Sequence, residues 1–142
     1  MSMIEVKTAE LIGPALDWAV AKALGWNMVR VPSDIDGNNG GEVLAPPYFT
    51  NDFKFPPRGA VGQGFFLRRW STDWSHGGPL IDRHICELVR DQEGYSEPEE
   101  PWYASCDVFW QIGQTPLIAA CRAIVAAKFG DAVSVPAELV AP

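Results

Sequence analysis

The sequence has few cysteines, few basic residues and no long apolar run. Its three cysteines, Cys86, Cys106 and Cys121, are an odd number without CxxC spacing, which argues against a disulfide framework or a zinc ribbon and predicts reduced thiols. No segment approaches the roughly 20 apolar residues that a membrane helix needs. The first residues lack the basic and apolar stretches of a signal peptide, so we expect a cytoplasmic protein with no membrane partner.

The shortage of basic residues also limits the class of partner. Eleven Lys and Arg stand against eighteen Asp and Glu, which gives a formal net charge of -7. A protein that follows a phosphate backbone needs a basic face, so we expect no nucleic-acid partner. The chain has 142 residues, of which 47% are hydrophobic, and this length and composition predict a single domain over residues 1–142.

The negative charge is concentrated in the second half of the sequence. Residues 1–71 carry seven basic and seven acidic side chains, whereas residues 72–142 carry four basic and eleven acidic ones. Residues 91–101 alone hold five of these acids and two prolines. This acidic stretch is either a solvated loop or a surface that meets a basic partner.

The first predicted element is a helix with a strand after it. Apolar residues recur at helical spacing between Ile12 and Ala23, and Gly25 predicts a left-handed C-terminal cap. The helix begins either at Thr8, as an N-cap, or near Pro14, which is favourable in a first helical turn. Residues 26–31 then have the composition of a short strand.

The last third of the sequence repeats this arrangement. Thr115 predicts an N-cap, Pro116 a first helical residue and Gly130 the end of the helix. Residues 133–135 predict the strand that follows.

Two more strands are predicted between the helices. They cover Ile85–Val89, after a short helical turn that begins at Pro79, and Tyr103–Trp110. We expect these two strands to pair antiparallel. The predicted fold is therefore α+β, with two main helices packed on a small, mostly antiparallel sheet of about three to five strands.

Residues 33–64 predict a long irregular segment. They contain six glycines and four prolines, which disfavour regular structure. They also contain Tyr48, Phe49, Phe53 and Phe55, too many aromatic residues for a disordered linker. We therefore expect part of the segment to pack on the core as an aromatic flap.

Several short motifs resemble functional sites without meeting their requirements. Residues 34–45 begin like a calcium loop but have Asn39 and Ala45 where glycine and an acid are needed. Residues 59–64 are glycine-rich in the wrong order for a dinucleotide loop. No cofactor or metal is expected from these patterns. Two further sets, one of metal ligands and one of hydrolase residues, have no recognised spacing; they are Asp73, His76, His84 and Cys86, and Ser71, Asp73, Ser75 and His76.

The most promising cluster lies in residues 68–79. Indole rings stack on bases or cations, and guanidinium groups bind phosphate or carboxylate. The Gly77-Gly78 pair, with a helix opening at Pro79 behind it, would let backbone N–H groups approach an anion. The competing interpretation is structural, with the polar residues capping a turn and the tryptophans in the core. The predicted ligand-binding residues are Arg68, Arg69, Trp70, Ser71, Thr72, Asp73, Trp74, Gly77, Gly78 and Arg83.

Three blocks of the sequence resemble the NinX-like small proteins of tailed phages and prophages. These blocks are residues 8–25, residues 71–83 and residues 113–136. The resemblance implies a phage accessory protein made in the bacterial cytoplasm, and it supplies no catalytic residue.

We therefore predict a non-enzymatic phage accessory protein that binds a small, nucleotide-like ligand or a host factor. One alternative is a protein–protein inhibitor of a host factor that uses the acidic stretch or the aromatic flap. Another is a small hydrolase or nucleotide-processing enzyme, in which Asp73 or His76 would face a cleft. The small residues of the last predicted helix fit packing within one chain or against a second copy, so a homo-oligomer stays open.

Overall fold

The computed structural model describes residues 2–31, 41–47, 66–91 and 99–140. Within these ranges the chain forms three α-helices, seven strands and two short 3-10 helices. No helix in them is long and apolar enough to cross a membrane. In chain order the strands and α-helices are β1 (Met3–Lys7), α1 (Gly13–Ala23), β2 (Asn27–Val31), β3 (Gly41–Ala45), α2 (Trp74–His84), β4 (Glu87–Arg90), β5 (Trp102–Cys106), β6 (Phe109–Gly113), α3 (Pro116–Phe129) and β7 (Ala132–Pro136).

The strands form three small sheets, and all their pairings are antiparallel. β1 pairs with β7, β2 pairs with β3, and β4, β5 and β6 form a three-stranded sheet in that order. The α+β class is therefore confirmed, as is the antiparallel pairing of the strands on either side of the acidic stretch. Among the described residues the strands form three sheets where one was expected, and α2 is a full helix where a short helical turn was expected. A single domain over residues 1–142 stays a prediction.

Helix α3 is the centre of the structure. Thr115 caps it, since its Oγ1 accepts a hydrogen bond from the Ile118 N–H at 3.1 Å, and Pro116 is its first residue, as predicted. Every residue from 117 to 126 is buried. The helix packs on β5 and β6, and it also contacts α1 and α2. Gly130, with φ of 84°, ends it in the left-handed region.

Helix α1 begins at Gly13 with Pro14 in its first turn, so the second of the two predicted starts is correct. Thr8 instead begins a 3-10 turn. The Thr8 side chain is buried, and its hydroxyl donates to the Gly130 carbonyl at 2.7 Å. This bond ties the start of the chain to the end of α3.

The predicted strand Tyr103–Trp110 is wrong, because the chain reverses in its middle. β5 ends at Cys106, Asp107 adopts a φ of 54°, and β6 begins at Phe109. Aspartate tolerates this left-handed conformation better than most residues. The alternating pattern is therefore that of a hairpin, and its turn lacks the Asn-Gly or Asp-Gly sequence that usually indicates one.

The irregular segment 33–64 contains one regular element that its composition did not indicate. Gly41–Ala45 forms β3, and the side chains of Val43, Leu44 and Ala45 are buried. Pairing with β2 supplies the hydrogen bonds that glycine-rich local sequence does not favour. The expected aromatic flap and the motif at residues 59–64 lie outside the described residues, as do most residues of the calcium-like motif.

Candidate functional site

Helix α2 begins earlier than the sequence suggests, and Asp73 caps it. The Asp73 carboxylate accepts hydrogen bonds from the Ser75 hydroxyl at 2.7 Å and the Ser75 N–H at 2.9 Å. These bonds hold the pKa of Asp73 below its ordinary value. Asp73 therefore has the role that the structural interpretation assigned to it, which is to bind backbone at the start of a helix.

Gly77 and Gly78 do not form the predicted anion-binding turn. Because the helix starts at Trp74, both glycines lie inside it, and Pro79 is an interior residue. The N–H groups of His76 and Gly77 already donate to the Asp73 carbonyl, at 3.1 and 2.8 Å. Gly77 instead permits close packing, since a Cβ there would lie 2.3 Å from the Trp70 carbonyl oxygen.

Trp70 and Ser71 lie in the core. The Trp70 ring packs edge-to-face on Trp26, with ring centroids 5.3 Å apart. The Ser71 N–H donates to the carboxylate of Asp17 in α1 at 2.9 Å. We call residues 66–84, which contain this turn and α2, the turn–helix segment.

The remaining predicted site residues lie at the surface but do not form one group. Trp74 is 56% exposed, and Arg68, Arg69 and Thr72 are exposed beside it in sequence. Arg83 is also exposed, but it lies in the last turn of α2. Arg83 lies nine positions after Trp74 in the helix, which places them about 13 Å apart along the helix axis.

Asp17 is a buried acid that the sequence analysis missed. Burial raises its pKa, and the hydrogen bond from the Ser71 N–H opposes this effect. The signal was present in the sequence, because Asp17 lies within a run of otherwise apolar residues that face the core, Ala15–Ala21. Asp17 links α1 to the turn–helix segment.

His76 does not complete a hydrolase or metal arrangement. Its Nδ1 accepts a hydrogen bond from the Arg69 N–H at 3.0 Å. The Ser75 hydroxyl donates to Asp73 and not to His76. Among the described residues, no group of three or more His, Cys, Asp or Glu side chains is placed to hold a metal ion.

A second surface, absent from the predicted site, lies on the aromatic hairpin, which we define as residues 102–113. Three consecutive large apolar side chains are exposed there: Val108 by 85%, Phe109 by 41% and Trp110 by 58%. The Trp110 ring stacks on Tyr103, with centroids 5.8 Å apart and an angle of 22° between the planes. The strand register places Val89 of β4 opposite Tyr103, and Val89 is also exposed.

A cleft of about 450 Å³ lies beside this hairpin. Residues 108–112 form one wall, while Ala9, Ala126 and Asp131 complete it. β6 is the outer strand of its sheet, and no other described strand pairs with its second edge. An outer strand next to exposed apolar side chains is a common site of protein association.

Part of the acidic stretch is structural. The Glu100 carboxylate pairs with the Arg122 guanidinium, and the Arg122 side chain is almost completely buried. Arg122 also donates to the carbonyls of Leu11 at 2.9 Å and Ile112 at 3.0 Å. Neutralising Glu100 would therefore change the stability of the fold as well as the charge of the surface.

The three cysteines carry no disulfide, and two of them are buried. Burial raises the pKa of the Cys106 thiol and of the Cys121 thiol, which keeps both protonated and unreactive at neutral pH.

Comparison with known proteins identifies one family. The sequence model of the family described as bacteriophage P22 NinX matches residues 7–128. No curated protein matches the chain. The matched range contains all three blocks of the resemblance except the last residues of the third, and it includes both the turn–helix segment and the aromatic hairpin. Since the match covers most of the sequence, the chain belongs to the bacteriophage P22 NinX family.

Proposed function

We propose that this NinX-family protein is a non-enzymatic phage accessory protein that binds a partner protein of the host cell through its aromatic hairpin. The observation that carries the proposal is the exposure of Val108, Phe109 and Trp110 in succession. Phe109 and Trp110 are consecutive in β6, so they lie on opposite faces of the sheet, and Trp110 shares its face with Tyr103 and the exposed Val89. Exposed apolar residues that share a face usually belong to an interaction surface. Of the predicted functions, a host-factor binder and a protein–protein inhibitor both require such a surface.

The geometry of the hairpin suits an extended partner segment. The outer edge of β6 offers backbone groups to a further strand. At one end of this strand the Ile112 carbonyl already accepts a hydrogen bond from the Arg122 guanidinium. The neighbouring cleft would take side chains of the added segment. Such strand addition combines backbone hydrogen bonds, which give affinity, with side-chain pockets, which give specificity.

The charges around the hairpin favour a basic partner. Asp107 is exposed in the turn, Asp131 lines the cleft, and Glu87 is exposed on the same sheet face as Trp110. The whole chain carries a net charge of -7, which opposes contact with a second copy of itself. A partner with lysine or arginine beside apolar residues would complement this surface.

The nucleotide-like ligand predicted for Arg68, Arg69, Trp70, Ser71, Thr72, Asp73, Trp74, Gly77, Gly78 and Arg83 stays a prediction with less support. Three of its members, Trp70, Ser71 and Gly77, are buried in packing contacts. The first N–H groups of α2 are already bonded to Asp73. An anion would therefore depend on the exposed arginines alone, without backbone donors from the helix.

A peptide-display selection tests the protein-binding proposal. The immobilised protein is offered random extended peptides, and the survivors are measured against three forms of it: the natural chain, Trp110→Ser and the matched control Trp74→Ser. We expect peptides that alternate basic and apolar residues, with binding weakened about tenfold or more by Trp110→Ser and unchanged by Trp74→Ser.

Three results would contradict the proposal. One is the absence of any enriched peptide, and another is equal binding by the Trp110→Ser protein. The third is a dimer in sedimentation experiments that Trp110→Ser abolishes, because a second copy would then occupy the surface.

A further inference from the structure

A different cavity, of about 480 Å³, lies between α1, β2 and β7. Its volume falls within the range of small-molecule sites, which is about 300–1,000 Å³. The walls come from five elements, so the cavity is a product of the tertiary fold. The residues that line it are Met3, Trp18, Lys22, Met28, Phe129, Ala132, Val133 and Ser134.

The walls of this cavity are mostly apolar and adaptable. Met3 and Met28 contribute flexible thioether side chains, and Phe129 and Val133 contribute rigid ones. Met3 and Phe129 are exposed at the surface of the protein. An apolar chain or ring would bury its surface against these four residues.

Trp18 supplies a hydrogen-bond donor that lacks an acceptor. Its side chain lines the cavity and is only 3% exposed, yet its indole Nε1–H has no hydrogen-bond partner among the described residues. Buried donors are bonded in nearly all native proteins, and an unpaired one costs roughly 1–3 kcal/mol. Because this nitrogen is itself buried, a ligand oxygen would reach it only if the side chains around it shift.

Lys22 gives the cavity its charge. It is the single charged residue in the lining, and its Nζ lies 6.0 Å from the centroid of the Trp18 ring. No described carboxylate forms an ion pair with it. The ammonium repels cationic ligands and attracts an anionic head group, and the nearby Ser134 hydroxyl adds a further polar contact.

We propose that this cavity binds a small amphipathic carboxylate, whose apolar body packs on Met3, Met28, Phe129 and Val133 and whose charged head meets Lys22 beside the Trp18 ring. The site shares no residue with the aromatic hairpin, and it does not depend on the function proposed above.

Decanoate is a suitable probe, with decan-1-ol as its neutral counterpart. Calorimetry gives the affinity of each, and NMR follows the assigned indole N–H resonances of the six tryptophans. We expect saturable binding of decanoate that moves the Trp18 indole resonance. Decan-1-ol should bind about tenfold more weakly or not at all.

Variants of Lys22 separate this site from general detergent-like binding. Lys22→Met should weaken decanoate about tenfold and leave decan-1-ol unchanged, while Lys22→Arg should keep the affinity. Lys128→Met is the control, because Lys128 is an exposed lysine that does not line the cavity. Failure to bind, equal affinity for both probes, insensitivity to Lys22→Met or movement of other indole resonances alone would overturn the proposal.

Discussion

Trp74 and Trp110 are exposed to nearly the same extent, 56% and 58%, but their neighbours are arranged in opposite ways. Around Trp74, in the turn–helix segment, Trp70, Ser71 and Gly77 are buried and serve the core. Around Trp110, in the aromatic hairpin, Val108 and Phe109 are exposed as well. Three of the residues near Trp74 in sequence are therefore packed in the core, whereas the two residues before Trp110 are exposed to solvent.

This difference shows that an exposed tryptophan does not by itself indicate a site. Trp74 directly follows Asp73, the N-cap of α2, and the buried residues around it pack within the protein. Trp110 shares one face of its sheet with Tyr103, on which its ring stacks, and with the exposed Val89. The fold leaves the side chains of that surface exposed, as the proposed binding of a partner requires.

Replacing the two tryptophans of the turn–helix segment should give the largest contrast. Trp70→Ala removes a ring that packs on Trp26 in the core, so we expect a loss of about 3–5 kcal/mol in the free energy of unfolding. Trp74→Ala should cost less than about 1 kcal/mol, because most of that ring is already in water. Urea denaturation measures both. Equal losses would mean that Trp74 is also a core residue.

The two glycines of α2 form a closer pair, and their substitutions should have opposite signs. The Cβ of Gly77→Ala would meet the Trp70 carbonyl oxygen at 2.3 Å and a Leu117 methyl carbon at 2.6 Å. We expect a loss of about 1–3 kcal/mol from this overpacking.

Gly78→Ala is the matched control. Its Cβ would come no closer than 4.0 Å to another residue, which is Trp74. Alanine favours the helix interior, so this change should stabilise the protein by about 0.5–1 kcal/mol. Similar losses from both substitutions would contradict this difference in packing between the two positions.

The parts of the fold that could be predicted from the sequence are those that depend on neighbouring residues. Thr115, Pro116 and Gly130 fix both ends of α3 through caps and backbone angles, and these need no distant contact. β3 could not be predicted, because it lies in a segment rich in glycine and proline and its partner strand is β2. The reversal at Asp107 could not be predicted for a different reason, which is that its local sequence is uncommon for a turn.

The burial of individual residues in the candidate site could not be predicted, because composition does not determine which way a side chain points. The composition of residues 68–79 predicts a ligand-binding cluster, but whether each side chain points inward depends on where α2 begins. Asp73 has the sequence signal of an N-cap, and the predicted helix start at Pro79 lies five residues after the observed start at Trp74. Asp17 was detectable as an acid in an apolar run, but its partner Ser71 lies 54 residues away and no local pattern links them.

Asp17 and Asp73 should give opposite pH dependences. Burial raises the pKa of Asp17, so the folded state holds that proton more tightly than the unfolded chain. Its ionisation therefore lowers stability as the pH rises from the ordinary Asp range through the raised pKa. Asp17→Asn removes this loss, so the variant should gain stability relative to the natural protein as the pH increases from about 4 to 8.

Asp73 provides the control for this experiment. Its pKa is lowered by hydrogen bonds from Ser75, so its contribution to stability is present above the ordinary Asp range and disappears as the pH falls through the lowered pKa. Asp73→Asn should therefore lose stability relative to the natural protein as the pH rises. Parallel pH profiles for the two Asn variants would contradict the assigned pKa directions.

Asp17→Ala tests the hydrogen bond of Asp17 itself. It leaves the Ser71 N–H without an acceptor and should lower the free energy of unfolding by about 1–3 kcal/mol.

The smallest change in stability is expected at Val108 of the aromatic hairpin, in contrast to the large change expected at Trp70 of the turn–helix segment. Val108 is 85% exposed in the hairpin turn, so Val108→Ser should change the free energy of unfolding by no more than about 0.5 kcal/mol. If the hairpin binds a partner, the same substitution should still weaken the peptides selected against the natural protein. Val108 would then contribute to binding without contributing to stability, whereas Trp70→Ala changes the stability of the fold. A Val108→Ser protein that keeps full peptide affinity would confine the contact to Phe109 and Trp110, and one that unfolds would show that the turn is structural.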